Sequence, residues 1–362
     1  MAGSAPLRLR PGEWVEVRSE EEILATLSAD ATLDALPFMP EMLHFCGQRF
    51  QVHRRADKTC DTIDKTGGRR LRHTVHLRDV RCDGSGHGGC EAGCLMFWRE
   101  AWLKRVDHSA GPAATRGAGP GAAVGRCTAT HVDRAAVVDA SQQIFRCQIT
   151  QLKAFTERLP WWDARQYVRD VVTNNVSLGK VARAFLFAAF RNLVALGIGY
   201  RVLVDLYERL QARRGGVPFP LRSGTCVTTP TAVLDLQPGE LVRVKPYAEI
   251  LATLDRQNKN RGLWFDPELV KYCGGVYRVL RRVRRILDEK TGKMLEFSNP
   301  CIVLQGVFCT AETTKYRLFC PRNIWIYWRE IWLERLTSQD TPRDTLAPTV
   351  HARPGGQPTC VS

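Results

Sequence analysis

The stretch Cys82-Asp-Gly-Ser-Gly-His87-Gly-Gly-Cys90-Glu-Ala-Gly-Cys94-Leu-Met-Phe-Trp98-Arg-Glu-Ala-Trp102 decides how the chain is organised. Its frame occurs twice, because Cys309 and Cys320 precede Trp328-Arg-Glu-Ile-Trp332. In the first occurrence, four potential thiolate or imidazole ligands lie within thirteen residues, among glycines that permit a tight turn. The stretch therefore predicts a metal-binding loop and divides the chain into two related parts.

The relationship extends well beyond this stretch. Residues 11–82 align with residues 238–309 without a gap, at a constant offset of 227. The offset becomes 230 at Cys90 and Cys320, so three residues are inserted between the paired cysteines, where a loop tolerates them. Self-similarity of this kind predicts two copies of one structural unit. Identical segments include Glu22–Leu27 with Glu249–Leu254 and Cys46-Gly47 with Cys273-Gly274.

Each copy has the same local pattern. In the first, alternation predicts strands over 13–17, 48–52, 73–81 and 97–106, and Ser19 is a typical cap for a short helix over Glu20–Leu27. Strands linked by Pro-Gly and Cys-Gly turns are similar to a small SH3-like or KOW-like barrel with a helix after its first strand. The chain resembles uncharacterised bacterial proteins in which tandem Cys-containing repeats of this kind flank a helical domain. That resemblance implies a fold and no activity.

The fold class predicted is therefore α+β, with two homologous SH3-like β-barrel modules joined by an α-helical domain. The boundaries are 1–106 for the first copy, 107–135 for a Gly-, Ala- and Pro-rich flexible linker, 136–216 for the helical domain, 217–336 for the second copy, and 337–362 for a disordered tail. Within the helical domain, helices are predicted from Ser141 to Leu159, from Pro160, and from a cap at Ser177.

Composition restricts the cellular setting and the partners. The 362 residues are 44% apolar and 25% charged, which is typical of a globular protein, and the net charge of +15 favours anionic partners. The N-terminus lacks a signal-peptide core, so a reducing, cytoplasmic location is predicted for the thirteen cysteines, which are then metal ligands or buried residues more often than disulfides. The apolar segment 182–204 contains three arginines, so it predicts a packed helix and no membrane span.

The predicted metal ligands are Cys82, His87, Cys90 and Cys94 in the first copy, with Cys309 and Cys320 in the second. Zinc fits a mixed thiolate and imidazole set, and an iron–sulfur cluster is less favoured because the ferredoxin spacing is missing. The second copy has Ile324 in place of Cys94, and Cys273 and Cys301 could complete its set. The alternative interpretation is that these thiols are simply buried.

Two further patterns have a structural and a functional interpretation. The basic strands, with Arg54, Arg55 and Lys58 in one copy and Arg281, Arg282, Arg284 and Arg285 in the other, could contact a phosphate backbone or could be a strand edge kept charged against pairing. The paired tryptophans of the Trp-Arg-Glu-x-Trp segments could seal a core or form a ligand-binding aromatic shelf.

The preferred function is a metal-stabilised binding or assembly protein that contacts nucleic acid, another anionic polymer, or a protein partner. The alternative is a zinc- or thiol-dependent enzyme of a specialised bacterial biosynthetic pathway, with its pocket between a barrel and the helical domain and Asp83 or Glu91 as general base. Cys147 is a candidate nucleophile, but its interpretation as an ordinary core cysteine is favoured. A third interpretation is an assembly or scaffold protein that uses Trp161-Trp162 and the helical bundle as a docking surface. The sequence contains no Ser-His-Asp order, dinucleotide fingerprint or phosphate loop.

Overall fold

A computed structural model of the protein describes residues 6–106, 127–197, 200–314 and 316–336. Residues 107–126 of the predicted flexible linker (107–135) and the predicted disordered tail over 337–362 lie outside the described residues. The fold is mixed α+β, as predicted, and each copy contributes one five-stranded antiparallel sheet.

The first copy forms its sheet from short strands and one capped helix. Ser19 and Glu22 make a reciprocal capping box, so α1 begins where the sequence predicts. The sheet order is β8-β7-β4-β1-β9. The elements are β1 (Trp14–Val17), α1 (Glu20–Leu24), β2 (Thr32–Leu33), β3 (Leu36–Pro37), a 3₁₀ helix (Pro40–Phe45), β4 (Arg49–Arg55), β5 (Lys58–Asp61), β6 (Gly67–Arg70), β7 (Thr74–Leu77), β8 (Trp98–Arg99), a 3₁₀ helix (Glu100–Trp102) and β9 (Leu103–Arg105).

The middle segment departs from the predicted helical domain. Its elements are α2 (Ala129–Ala136), β10 (Val137–Asp139), β11 (Ile144–Phe145), β12 (Glu157–Leu159), α3 (Arg165–Val172), α4 (Leu178–Ala195) and α5 (Tyr200–Arg214). The predicted helix over 141–159 is wrong: the Asp139 carboxylate holds a turn by accepting from the backbone N–H groups of Ser141 and Gln142. The predicted linker is also too long, because Thr128 caps α2 inside it.

The second copy has the same strand order as the first, β18-β17-β16-β13-β19. Its long hairpin of β16 and β17 occupies the positions that β4 to β7 occupy in the first copy. The elements are β13 (Leu241–Val244), α6 (Tyr247–Leu251), β14 (Lys259–Asn260), β15 (Leu263–Trp264), a 3₁₀ helix (Pro267–Tyr272), β16 (Val276–Leu287), β17 (Met294–Phe308), β18 (Trp325–Trp328), a 3₁₀ helix (Glu330–Trp332) and β19 (Leu333–Arg335).

The strand registers of the two sheets also correspond. Val15 faces Phe50 in the first sheet, and Val242 faces Tyr277 in the second, which is the offset of 227 found in the sequence. Among the described residues, the edge strands β8 and β9 of the first sheet do not pair with each other, and neither do β18 and β19 of the second. The sheets are therefore open, and hydrogen bonding does not close a barrel in either copy.

The repeated tryptophans seal the two cores. Trp98, Trp102, Trp328 and Trp332 are all 0% exposed, so the interpretation as a ligand-binding shelf is wrong and the core interpretation is confirmed. The predicted closing strand over 97–106 is split by a 3₁₀ helix, which turns both indoles inward. Phe38 packs edge-on against Trp102, and Phe265 does the same against Trp332.

The glutamate within each Trp-Arg-Glu-x-Trp segment is buried rather than solvated. Glu100 accepts hydrogen bonds from the backbone N–H groups of Arg8 and Leu9 and from the Arg55 guanidinium, each at 3.0 Å. Glu330 accepts in the same way from the backbone at Leu236 and from Arg282. A buried carboxylate therefore fixes the entry to the first strand in both copies.

The apolar segment 182–204 forms parts of the helices α4 and α5. The chain leaves the helical conformation at Gly197 (φ +76°), so the segment belongs to two helices instead of the predicted one. Ser177 lies at the N-cap of α4, as predicted. None of the helices in the described parts of the chain has the length and apolar character that crossing a bilayer requires.

Candidate metal centre

The first Cys loop, residues 82–94, connects β7 to β8 and folds tightly on itself. The backbone N–H groups of His87 and Gly89 both donate to the carbonyl of Gly84, at 3.0 and 2.9 Å. Gly84 has a φ of +80°, and a Cβ atom there would lie 2.0 Å from the Cys90 carbonyl oxygen. Only glycine fits this position, which explains why the loop is so rich in that residue.

Three potential metal ligands converge at the base of the loop. The Nδ1 atom of His87 lies 2.6 Å from Glu41 Oε1, and the Cys82 thiol lies 3.9 Å from the same nitrogen and 3.6 Å from the same oxygen. Glu41 comes from the 3₁₀ helix Pro40–Phe45 of the first copy. Glu41, Cys82 and His87 form the only group of three close potential ligand atoms in the described residues.

The burial of this group favours an ion. Glu41 and His87 are each 1% exposed, and Glu41 Oε2 and His87 Nε2 are buried without a hydrogen-bond partner. Burial raises the pKa of Glu41, but hydrogen bonds from His87 and from the Gly86 N–H outweigh it, so the pKa is lowered and the carboxylate is charged. Burial and the nearby Glu41 raise the pKa of Cys82 well above its usual value. His87 and the Gly86 N–H already stabilise the buried carboxylate of Glu41, and a metal ion in place of the shared proton would do the same.

The chemistry of the three ligands fits zinc best. Zinc accepts carboxylate, imidazole and thiolate together, at metal–ligand distances of about 2.0 to 2.3 Å, so tetrahedral ligand atoms lie roughly 3.3 to 3.8 Å apart. The thiol distances in the group are close to that spacing. The Nδ1 atom of His87 and Oε1 of Glu41 are hydrogen-bonded at 2.6 Å, so these two atoms would have to separate to bind one ion. An iron–sulfur cluster would need further thiolates, and Cys82 is the only sulfur in the group.

The other predicted ligands of the first copy are near this group but outside it. Cys90 and Cys94 line the same cavity as Cys82 and His87, together with Cys147. The cavity has a volume of about 170 Å³. Burial raises the pKa of Cys94 to about 11 and that of Cys147 to about 12, so without a metal these thiols are protonated at neutral pH.

The cavity lies where three parts of the chain meet. The first Cys loop and residues 147–150 of the middle segment form one side, and the second copy forms the other. The sequence predicted a pocket between a barrel and the helical domain, but helices α3 to α5 do not line this one. The second copy contributes Ile286, Leu287, Glu289, Arg322, Ile324 and Tyr327.

The two Cys loops contact opposite copies in a reciprocal way. The Cys90 sulfur accepts from the Leu287 N–H of the second copy at 3.4 Å, and the Cys320 sulfur accepts from the Cys60 N–H of the first at 3.2 Å. These four positions are related by the offsets of the sequence repeat. Cys90 and Cys320 therefore join the copies, a role that the spacing of the sequence did not indicate.

The second Cys loop, residues 309–320, has no equivalent metal group among the residues that the structure describes. Its Cys320 and Cys309 pack with Cys60, and the Arg322 guanidinium lies 3.7 Å from the Cys60 sulfur. Burial raises the pKa of Cys320, but the hydrogen bond with Cys60 and the charge of Arg322 outweigh it, so the pKa is lowered. Arginine therefore supplies the positive charge beside these sulfurs.

The residues proposed to complete a second metal set lie elsewhere. Cys273 packs against the second core, and Cys301 lies in a separate apolar cluster near the guanidinium of Arg329. Outside the group at Glu41, no three ligand atoms are close together in the described ranges. The sequence prediction that Cys273 and Cys301 join Cys309 and Cys320 does not agree with this arrangement.

The predicted cationic ribbon of the first copy does not face solvent. Arg55 and Lys58 are 7% and 6% exposed, and Lys58 forms an ion pair with the buried Asp170 at 2.6 Å. Arg54 is half-buried. Their positive charge serves to connect the sheet to its own N-terminal segment and to α3.

The basic strand of the second copy is more accessible. Arg282 pairs with Glu330 and Asp235, and Arg281 lies over the Trp325 ring. Arg284 and Arg285 are exposed on β16. Only this end of the predicted cationic surface is open to a partner.

The groups suggested for acid–base or nucleophilic chemistry are engaged otherwise. Asp83 accepts from the Ser85 N–H, and Glu91 accepts from the backbone N–H groups of Arg284 and Arg285, so neither is a free base. The raised pKa of Cys147 argues against a nucleophile. Glu289, which sequence reasoning missed, lines the cavity and has a buried oxygen without a partner.

Glu41 was also missed, although the repeat contains a signal for it. Pro40-Glu41 aligns with Pro267-Glu268, and Glu268 is likewise 1% exposed. Glu268 binds the second Cys loop through the hydroxyl groups of Thr310 and Thr313. A glutamate retained in both copies inside an apolar turn indicates a buried partner.

Comparison of the chain with protein-family models, with curated proteins and with solved structures found no match.

Proposed function

We propose that the protein is a zinc protein that binds a small, mostly apolar ligand in the cavity between its two copies. The observation that carries the proposal is the convergence of the buried side chains of Glu41 and His87 with the Cys82 thiol. Three protein ligands leave one tetrahedral position open, which is the arrangement of zinc sites that act on a ligand. The open position supplies an anchor for the ligand.

The shape and lining of the cavity support a ligand of limited size. Cys82 and His87 line it and Glu41 does not, so the open position of the metal would face the cavity. A cavity of about 150 Å³ accommodates benzene, so a volume of about 170 Å³ suits a ligand of one ring or a short chain. A thiol, phenol or carboxylate on that ligand would coordinate zinc.

The opposite wall carries the groups that would act on such a ligand. Glu289 and Tyr327 come from the second copy. The Arg322 guanidinium donates hydrogen bonds to the Glu289 carboxylate at 3.4 Å and to the Thr62 hydroxyl at 3.0 Å. Burial raises the pKa of Tyr327 well above its usual value, so its phenol is a donor at neutral pH. If the protein is catalytic, Glu289 is the group that can take a proton from a zinc-bound water or ligand. This would be the zinc-dependent enzyme of the alternative interpretation.

Metal content of matched variants tests the proposal. Elemental analysis of the purified protein should find about one zinc per chain, and Glu41→Gln, Cys82→Ser and His87→Ala should each lower it. Glu268→Gln is the control, because it makes the same change at the equivalent position of the second copy and should leave the metal content unchanged. Equal zinc in all four variants would overturn the site.

Cobalt substitution tests the open position. One thiolate and an open position predict a weak sulfur-to-cobalt charge-transfer band and a visible spectrum that shifts when a small phenol or thiol is added. A closed, structural site would recruit Cys90, Cys94 or Cys147, giving a stronger band and a spectrum that added ligands leave unchanged. In that case the protein binds zinc for assembly, and the ligand proposal is wrong.

A second candidate function rests on the exposed end of β16. We propose that Arg284 and Arg285 contact an anionic polymer such as nucleic acid, and that each copy is an SH3-like module descended from one duplicated unit. Filter binding over a salt series is the test: affinity should fall steeply with salt and weaken when Arg284 and Arg285 are both replaced by alanine. Arg243→Ala serves as control, because Arg243 lies on the neighbouring strand β13 and pairs with Val276 at the other end of β16. No binding at low salt would exclude this function.

A further inference from the structure

The helix α4 exposes a continuous apolar face that is largely uncovered in the described chain. Leu178, Phe185, Leu186, Leu193 and Leu196 are 69%, 43%, 70%, 44% and 71% exposed. At 3.6 residues per turn, these positions fall within an arc of roughly 100° that also contains Ala182 and Ala189. The arc holds no charged residue over its whole length. Such a face on a helix that is attached through only three buried residues indicates a binding surface.

The opposite side of α4 attaches it to the protein. Val181 and Ala184 pack with Leu318 and Phe319 of the second Cys loop region, and Val194 packs with Phe219. At the edge of the apolar face, the Tyr167 ring of α3 packs against Phe185 at 5.0 Å, so Phe185 is the one residue of that face with a ring contact in the described chain. The helix is therefore fixed with its apolar face outward.

The charges around this face are strongly positive. Residues 165–214 contain nine Arg and Lys and three Asp and Glu, a net charge of +6. Two of the three acids pair with cations outside the segment, Asp170 with Lys58 and Glu208 with Arg222. Two of the nine cations pair with acids outside it, Arg165 with Asp163 and Lys180 with Glu312, so the excess of positive charge is retained. A second copy would bring two such cationic segments together, whereas an anionic surface would attract them.

We propose that the apolar face of α4 docks into the surface of an anionic lipid bilayer, with the helix lying in the plane of the interface. An uncharged face of leucine and phenylalanine flanked by arginine and lysine is the composition of interfacial helices. Trp161 and Trp162, 46% and 69% exposed in the segment that leads into α3, are the residue type that concentrates at lipid headgroups. This inference is independent of the metal centre.

Vesicle flotation with the full chain tests it. The protein should float with vesicles of phosphatidylcholine that contain phosphatidylglycerol, much less with phosphatidylcholine alone, and less as salt increases. Leu186→Glu and Leu196→Glu each replace a side chain that is already exposed, so folding should be retained, and each should weaken binding about ten-fold or more because the leucine no longer enters the acyl region.

Val227→Glu is the matched control, because Val227 is 98% exposed and lies outside the helices, and the variant makes the same change in net charge. It should bind like the unmodified protein. Absence of flotation with anionic vesicles, or equal weakening by Val227→Glu, would overturn the proposal. Light scattering that finds a dimer dissociated by Leu186→Glu would assign the face to a second copy instead and would also overturn it.

Discussion

Replacing Glu100 by glutamine should destabilise the first copy strongly, because this carboxylate joins three separate segments. Its two oxygens accept from the N–H groups of Arg8 and Leu9 and from the Arg55 guanidinium, and the side chain is 2% exposed. Glutamine has nearly the same shape but offers only one acceptor oxygen. One backbone N–H would then face an amide group that cannot accept.

The magnitude follows from the contacts that are lost and those that remain. An unsatisfied buried donor costs about 1 to 3 kcal/mol, and a charge-assisted hydrogen bond contributes about 1.5 to 3 kcal/mol. Arg55 keeps two hydrogen bonds to Asp57 and one to the Leu9 carbonyl, so its charge is not left alone. We therefore expect a loss of about 3 kcal/mol, and not the larger penalty of an unpaired buried charge.

Urea unfolding followed by tryptophan fluorescence measures this change. Glu330→Gln should cost a similar amount in the second copy, where the carboxylate binds Leu236 and Arg282. Glu334→Gln is the surface control, since Glu334 is 55% exposed in its pair with Arg243 and should change stability by less than about 0.5 kcal/mol. A loss of that small size in Glu100→Gln would refute the reasoning.

Three further outcomes follow from other parts of the chain. Trp102→Phe and Trp332→Phe each remove a ring N–H bond to a threonine, at 3.1 Å to Thr26 and 3.0 Å to Thr253, and should each lower the free energy of unfolding by about 1 to 2 kcal/mol; unequal losses would contradict equivalent cores. Burial lowers the pKa of His76 to about 3, so as the pH falls the unfolded chain takes up a proton at this residue before the folded protein does. The free energy of unfolding should therefore be highest above about pH 6.5 and should fall toward pH 4, with a loss of about 2 kcal/mol at pH 5. His76→Asn should flatten this part of the pH profile. Chelation should lower the melting temperature of the unmodified protein and leave that of Cys82→Ser unchanged, as differential scanning fluorimetry can check.

The elements that the sequence predicts best are those that use local rules. The cap at Ser19, the strand alternation and the buried tryptophans need only neighbouring residues, and the repeat supplies each of them twice. The segment 141–159 was predicted wrongly because its conformation depends on distant partners. The Gln148 side chain binds both the N–H and the carbonyl of Phe97 and also the Pro37 carbonyl, and these bonds override the helical spacing of the apolar residues.

The group of Glu41, Cys82 and His87 was predicted only in part from the sequence, and whether it binds a metal stays a prediction. Cys82 and His87 are five residues apart, and the intervening glycines bring them together within one loop. Glu41 is 41 positions from Cys82 and reaches the loop through the 3₁₀ helix, so spacing alone could not find it. Cys90 has a favourable spacing as well, but its sulfur is directed to Leu287 of the other copy.

From the divergence of the two copies we predict one ion per chain at the proposed zinc site. Glu41 and Glu268 occupy equivalent positions, but Thr310 and Thr313 satisfy both oxygens of Glu268, whereas Glu41 keeps one oxygen without a partner beside His87 and Cys82. The second loop has no histidine and lies beside the positive charge of Arg322, so an added cation would be repelled. A stoichiometry of two zinc ions per chain would contradict this division, because it would require ligands that the second loop does not bring together.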